Sequence, residues 1–150
     1  MPEELTTPDL AELTRRLVEA GNARDTAGTP RSDQDRIDAV MRFFALDTVL
    51  DQPDGVEFFE GRPAVRGFFE DWLRVYDEFE LQVEDVRDLG NGVVFSVVVQ
   101  RGKPRGSAGW VHNRYAAVAT WVDGLVERST NYADVDEARA AAERLAEERG

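Results

Sequence analysis

The chain has 150 residues, 42% of them hydrophobic and 32% charged, a balance that fits one globular domain with a single core. Thirty Asp and Glu against 18 Lys and Arg give a net charge of −12, so polyanions are repelled at long range and neither nucleic acid nor an anionic membrane surface is an expected partner. Cysteine is absent, which removes disulfides, thiolate metal sites and cysteine nucleophiles together.

The first residues, Met1 to Glu4, lack the basic-then-apolar layout of a signal peptide, and no apolar run approaches the about 18 residues of a membrane span. The expectation is a soluble, cytoplasmic protein. Thr7 and Pro8 then form a cap and first-turn proline for a helix whose Leu10, Leu13 and Leu17 share one face until Gly21. Residues 24–31 are rich in Gly, Thr and Pro and read as a surface loop. Ser32, Asp33 and Asp35 cap a second helix, with Ile37, Val40, Met41 and Phe44 at helical spacing. A short strand follows, Thr48-Val-Leu-Asp51, closed by a turn at Gln52-Pro53-Asp54-Gly55. Pro63 starts a third helix whose broad stripe is Val65, Phe68, Phe69, Trp72 and Tyr76.

From Phe79 the hydrophobic period changes to two. Strands are expected over 79–88, 92–101, 110–122 and 125–132, parted by Gly90-Asn91-Gly92, by residues 102–109 and by the hairpin pair Asp123-Gly124. Asp134 and Glu137 then cap a C-terminal helix carrying Val135, Ala138, Ala142 and Leu145. Three helices followed by a long curved antiparallel sheet make an α+β fold, with the helices covering one sheet face.

That order, together with Thr48-Val-Leu-Asp51, Gly61-x-x-Ala-Val-Arg-x-Phe-Phe69, Asp123-Gly-Leu-Val126 and Tyr132-x-Asp134, resembles the nuclear transport factor two-like superfamily. Within it the chain is most similar to the SnoaL-like group, related to ketosteroid isomerases, limonene epoxide hydrolases and polyketide cyclases. The resemblance covers residues 8–146 of a single domain spanning 1–150. It implies a cone, with the sheet curled around the third helix and a pocket open at one end. Such a scaffold hosts many unrelated functions, so activity must be argued from positions.

Asp51 matches the general base of the ketosteroid isomerases, an Asp in a Thr-Val-Glu-Asp-Pro segment. The isomerase oxyanion hole requires a tyrosine on the first helix, where this chain offers Leu13 or Leu17, and an Asp at a strand position that here is Ala117. Losing that stabilisation costs several kcal/mol, about 2.7 to 4 for one donor. The epoxide hydrolase Arg-x-Asp pair falls at Val97 and Val99, and its second Asp at Asn131. Neither activity is expected in its usual form.

With these correspondences the resemblance implies, through strand alternation, that Phe95, Val97 and Val99 turn inward from one strand, Asn113, Tyr115 and Ala117 from the next, and Ser129 and Asn131 from the last. With Phe59, Trp72 and Tyr76, these would bind a small hydrophobic molecule bearing carbonyl or hydroxyl groups. His112, the sole histidine, has the opposite parity to Tyr115, which places it with Trp110 and Arg114 on the back of the sheet, where the resemblance implies a homodimer face. No metal or cofactor is expected, since one histidine without cysteine makes a poor transition-metal site. Two functions stay open. In one, Asp51 beside Trp72 moves a proton on a carbonyl substrate, as in a cyclase, isomerase or dehydratase, because apolar walls help a carboxyl hold a proton. In the other, the protein is a homodimeric ligand-binding or structural module without turnover, and Asp51 opens a turn.

Overall fold

A computed structural model describes residues 9–24, 27–53 and 56–150. Its elements run α1 (Leu10–Ala20), α2 (Asp33–Met41), β1 (Phe44–Asp51), β2 (Phe58–Glu60), α3 (Arg62–Val75), β3 (Tyr76–Gly90), β4 (Val93–Pro104), β5 (Val111–Val122), β6 (Leu125–Tyr132) and α4 (Val135–Arg149). The class is α+β. Six strands form one sheet in the order β2-β1-β6-β5-β4-β3, antiparallel throughout except where β1 runs parallel to β6.

Three helix starts are side-chain caps. Asp9 accepts from the Glu12 N–H, Ser32 from Asp35 and Asp134 from Glu137, each satisfying a first-turn donor that has no partner within its helix. Asp9 therefore caps α1, while the expected Thr7 and Pro8 lie outside the described residues. The hairpin between β5 and β6 turns on Asp123 and Gly124, both at positive φ (53° and 80°), the geometry that an Asp-Gly pair supplies.

Phe44 departs from its expected place. Its spacing from Val40 suits a helix, yet α2 ends at Met41 and Phe44 opens β1, where it pairs with Val126 while the Val126 N–H donates to the Phe43 carbonyl. Ladder bonds to β6 outweigh one more helical turn. Strand β3 also begins earlier than its alternation suggests, at Tyr76, and it shifts register between Val83 and Asp85 and between Asp88 and Gly90. Such irregularities bend a strand and let the long β3–β4 pair curl.

Both faces of the sheet are covered. Helices α1, α2 and α3 sit on the concave face around Ile37, Met41, Phe44, Leu50, Val65, Leu73 and Phe79. On the other face α4 lays Ala138, Ala142 and Ala146 on Val93, Phe95, Val97, Ala116 and Val118. Alanines at four-residue spacing let the helix approach the sheet closely. The three N-terminal helices thus share one sheet face as expected, and α4 adds a second layer on the other. Among the described residues no helix is long and apolar enough to cross a membrane.

Candidate functional site

The concave face and its three helices enclose a cavity of about 120 Å³. Its helical side comes from Leu17 and Val18 of α1, Ile37 and Val40 of α2, and Phe69, Trp72 and Leu73 of α3. An aromatic chain forms one wall: Phe44 to Phe69 at 5.8 Å between ring centroids, Phe69 to Trp72 at 6.1 Å and Trp72 to Phe79 at 5.6 Å. The sheet contributes Val94, Ser96 and Val98 from β4, Tyr115, Ala117, Ala119 and Trp121 from β5, and Ser129 and Asn131 from β6. The pairing explains this floor, because Val94, Ala119 and Ser129 form one cross-strand row and Ser96, Ala117 and Asn131 the next.

Of the residues singled out from sequence, Trp72, Tyr115, Ala117, Ser129 and Asn131 line this cavity. Phe95 and Val97 do not: they point to α4, because strand β4 is inverted by one residue relative to the expected parity. Val99 shares that parity and pairs with Arg114. Asn113 has the inward parity, opposite Gln100, but lies exposed beyond the cavity. Tyr76 packs over Gly102, where a Cβ would come within 2.5 Å of its ring, and against Phe79. Phe59 packs at a tilt on Phe68, with ring centroids 5.1 Å apart, outside the lining.

Asp51 requires the largest correction. On β1 it is Leu50 that lines the cavity, and Asp51, only 7% exposed, faces the α4 side. There the Arg128 guanidinium pairs with one carboxylate oxygen, and the Thr130 hydroxyl donates to the other at 2.7 Å. Arg128 and Thr130 alternate with Ser129 along β6, so a single step of register separates this polar group from the cavity. Asp51 thereby fastens the parallel β1–β6 pair.

Among the described residues no Asp, Glu or His lines the cavity. Its polar side chains are Thr14, Arg36, Ser96, Tyr115, Ser129, Asn131 and the indole of Trp121. Thr14 is satisfied within α1, donating to the Leu10 carbonyl at 2.8 Å. The buried Trp121 Nε1–H has no acceptor among the described residues. Burial pushes the Tyr115 phenol well above the usual tyrosine range, so this hydroxyl stays protonated and is a donor rather than a base.

Sequence reasoning missed Arg36. Its side chain is buried, with Nε and Nη2 donating to the Gly21 carbonyl at 3.0 and 2.7 Å and the guanidinium 4.4 Å above the Phe79 ring. Desolvation, partly offset by Asp33, lowers its pKa from the ordinary arginine value. The signal was its spacing, since Arg36 lies one turn before Val40 on the apolar side of α2.

Trp110, His112 and Arg114 are exposed. His112 and Arg114 have the parity of Ala116 and Val118, the strand face that α4 covers further along. Arg114 Nε reaches both oxygens of Glu84, at 3.0 and 3.1 Å, and Arg101 stacks 4.4 Å over Trp110.

Solved structures similar to this chain share its fold at low identity. One is a protein of ketosteroid isomerase-like fold from Catenulispora acidiphila DSM 44928, in complex with trimethylamine (TM-score 0.66, 15% identity, 91% of this chain and 94% of that one). Another is TerC co-crystallised with polyporic acid (0.64, 13%, 89% and 96%). A third is a putative SnoaL-like polyketide cyclase from Jannaschia Sp. CCS1 (0.63, 15%, 92% and 97%). No curated protein matches the chain at a significant level. The model of the SnoaL-like domain matches residues 14–129, from the middle of α1 to the cavity-lining Ser129, and the chain therefore belongs to the SnoaL-like domain family.

Proposed function

We propose that this SnoaL-like protein binds a small hydrophobic molecule bearing carbonyl or hydroxyl groups inside the cone, and that it does so without a carboxylate base. One observation carries the reading: an apolar, partly aromatic cavity holds Ser96, Tyr115, Ser129 and Asn131, whose side chains hydrogen-bond no other described residue. Buried polar groups ordinarily find partners, and a few convergent ones in an apolar hollow are the usual means of orienting a ligand. The protonated Tyr115 hydroxyl and the Asn131 amide suit a carbonyl, and the serine hydroxyls suit either donor or acceptor. An engineered cavity of about 150 Å³ holds benzene, so about 120 Å³ suits one ring unless the surrounding helices move apart. Trimethylamine and polyporic acid accompany two of the structural neighbours, which favours a small organic ligand for this fold.

Asp51 does not act on a ligand held in the cone, because its carboxylate and the cavity lie on opposite sheet faces. The binding module is the better reading. It includes a homodimer through the sheet region of Trp110, His112 and Arg114, favoured by the exposure of Trp110 (40%) and the adjacent Val111 (44%). The ligand reading is tested by thermal unfolding with acetophenone. The wild-type midpoint is expected to rise with concentration, as ligand linkage requires, and Ala117→Phe, which fills the hollow, is expected to abolish the rise. An equal rise in both proteins would contradict the assignment to the cone.

A further inference from the structure

Arg36 is the one charged side chain among the described residues lining the cavity, and it is 7% exposed. Its charge is poorly matched from within the protein. The nearest carboxylate, Asp33, stands 3.5 Å from Nη1, but its own side chain is 68% exposed, so solvent screens much of that attraction. The two short bonds from Nε and Nη2 both go to one neutral acceptor, the Gly21 carbonyl. A guanidinium has five N–H donors, which leaves this one with capacity beyond that carbonyl and the loose Asp33 contact. Phe79 lies beneath the guanidinium, its ring centroid 4.4 Å from Cζ. A buried cation of this kind is costly unless an anion comes close to it.

We propose that the cone takes its ligand as an anion, a flat apolar acid whose carboxylate or ionised hydroxyl pairs with Arg36 while its ring lies along the Trp72–Phe79 wall. The inference rests on the reading of the cone as a ligand site and narrows the class of ligand it takes. The chain's net charge of −12 does not oppose it, because exposed charges are screened beyond about 8 to 10 Å in physiological salt whereas a pair inside the cavity is screened far less. Charge-assisted bonds are about twice as strong as neutral ones, and a planar guanidinium suits a carboxylate in particular. Arg36 has a second task, holding the C-terminal end of α1 through Gly21, so its removal acts on stability as well as on binding.

The test compares two probes of nearly equal shape, benzoate and benzamide, by calorimetric titration of the full chain at neutral pH. Wild type is expected to bind benzoate at least about ten-fold more tightly than benzamide, as one charge-assisted bond in place of a neutral one allows. Arg36→Gln is expected to erase that preference, and Arg36→Lys to keep part of it. If Arg36→Gln does not fold, the decision falls to wild type and Arg36→Lys. Benzamide binding as tightly as benzoate to wild type would overturn the proposal and leave the ligand site standing. Saturable binding of neither probe would remove both the proposal and the reading beneath it.

Discussion

The two faces of the sheet are built from alternate residues of the same strands, yet they do opposite things. Toward α4, Phe95, Val97, Ala116 and Val118 meet an alanine-lined helix, and the buried Asp51 carboxylate nearby is paired with Arg128 and accepts from the Thr130 hydroxyl. Toward the cone, Val94, Ser96, Tyr115 and Ala117 face a hollow, with hydroxyl and amide groups that bond to no other described residue and one buried cation. On the α4 side Asp51, Arg128 and Thr130 bond one another across the strands at the wall of a second, more open hollow of about 370 Å³, whereas the sheet's polar groups toward the cone have no partner among the described residues. A displacement of one residue moves a side chain from one role to the other.

Neighbours on β5 test this contrast most strongly. Ala116 is completely buried under α4, whereas Ala117 lines the hollow. Leucine at position 116 must overpack the interface, so Ala116→Leu is expected to cost about 1 to 3 kcal/mol in denaturant unfolding. Ala117→Leu has room to extend and is expected to cost less, while weakening acetophenone binding. Equal losses of stability from the two variants would mean that the cone side is packed as tightly as the other.

Asp51→Ala sharpens the comparison further. It removes the acceptor of the Thr130 hydroxyl and the partner of an arginine that is 56% exposed, so the expected loss is about 1 to 2 kcal/mol, below the range for a fully buried pair. Acetophenone affinity should not change. A large loss of affinity with stability intact would return Asp51 to the ligand site.

Much of the architecture was legible in the chain before its structure. The caps Ser32 and Asp134, the Pro63-containing helix start and the Asp123-Gly124 hairpin each have local causes that act within a few residues. The cavity was legible in part. On β5 and β6 the family correspondences set the parity, and Tyr115, Ala117, Ser129 and Asn131 do face inward. Strand β4 reads Val-Val-Phe-Ser-Val-Val-Val over 93–99, apolar on both faces because both are covered, so alternation there has almost no signal. Ser96 is the single polar break, and it marks the inward set. On β1, Leu50 and Asp51 were exchanged for a related reason: burial beside Arg128 and Thr130 depends on a parallel partner 77 and 79 residues away. Arg36 was the harder case, since charged side chains are usually exposed and only its position on the apolar side of α2 marks it for burial.

The most direct measurement is a nuclear magnetic resonance titration of the isotope-labelled full chain with acetophenone, following each backbone amide and the Trp121 indole Nε1–H. The account predicts saturable shifts at Ser96, Tyr115, Ala117, Ser129, Asn131 and the indole, with Phe95, Val97 and Asp51 little changed. Shifts concentrated at Asp51, Arg128 and Thr130 with the cone residues still would contradict it.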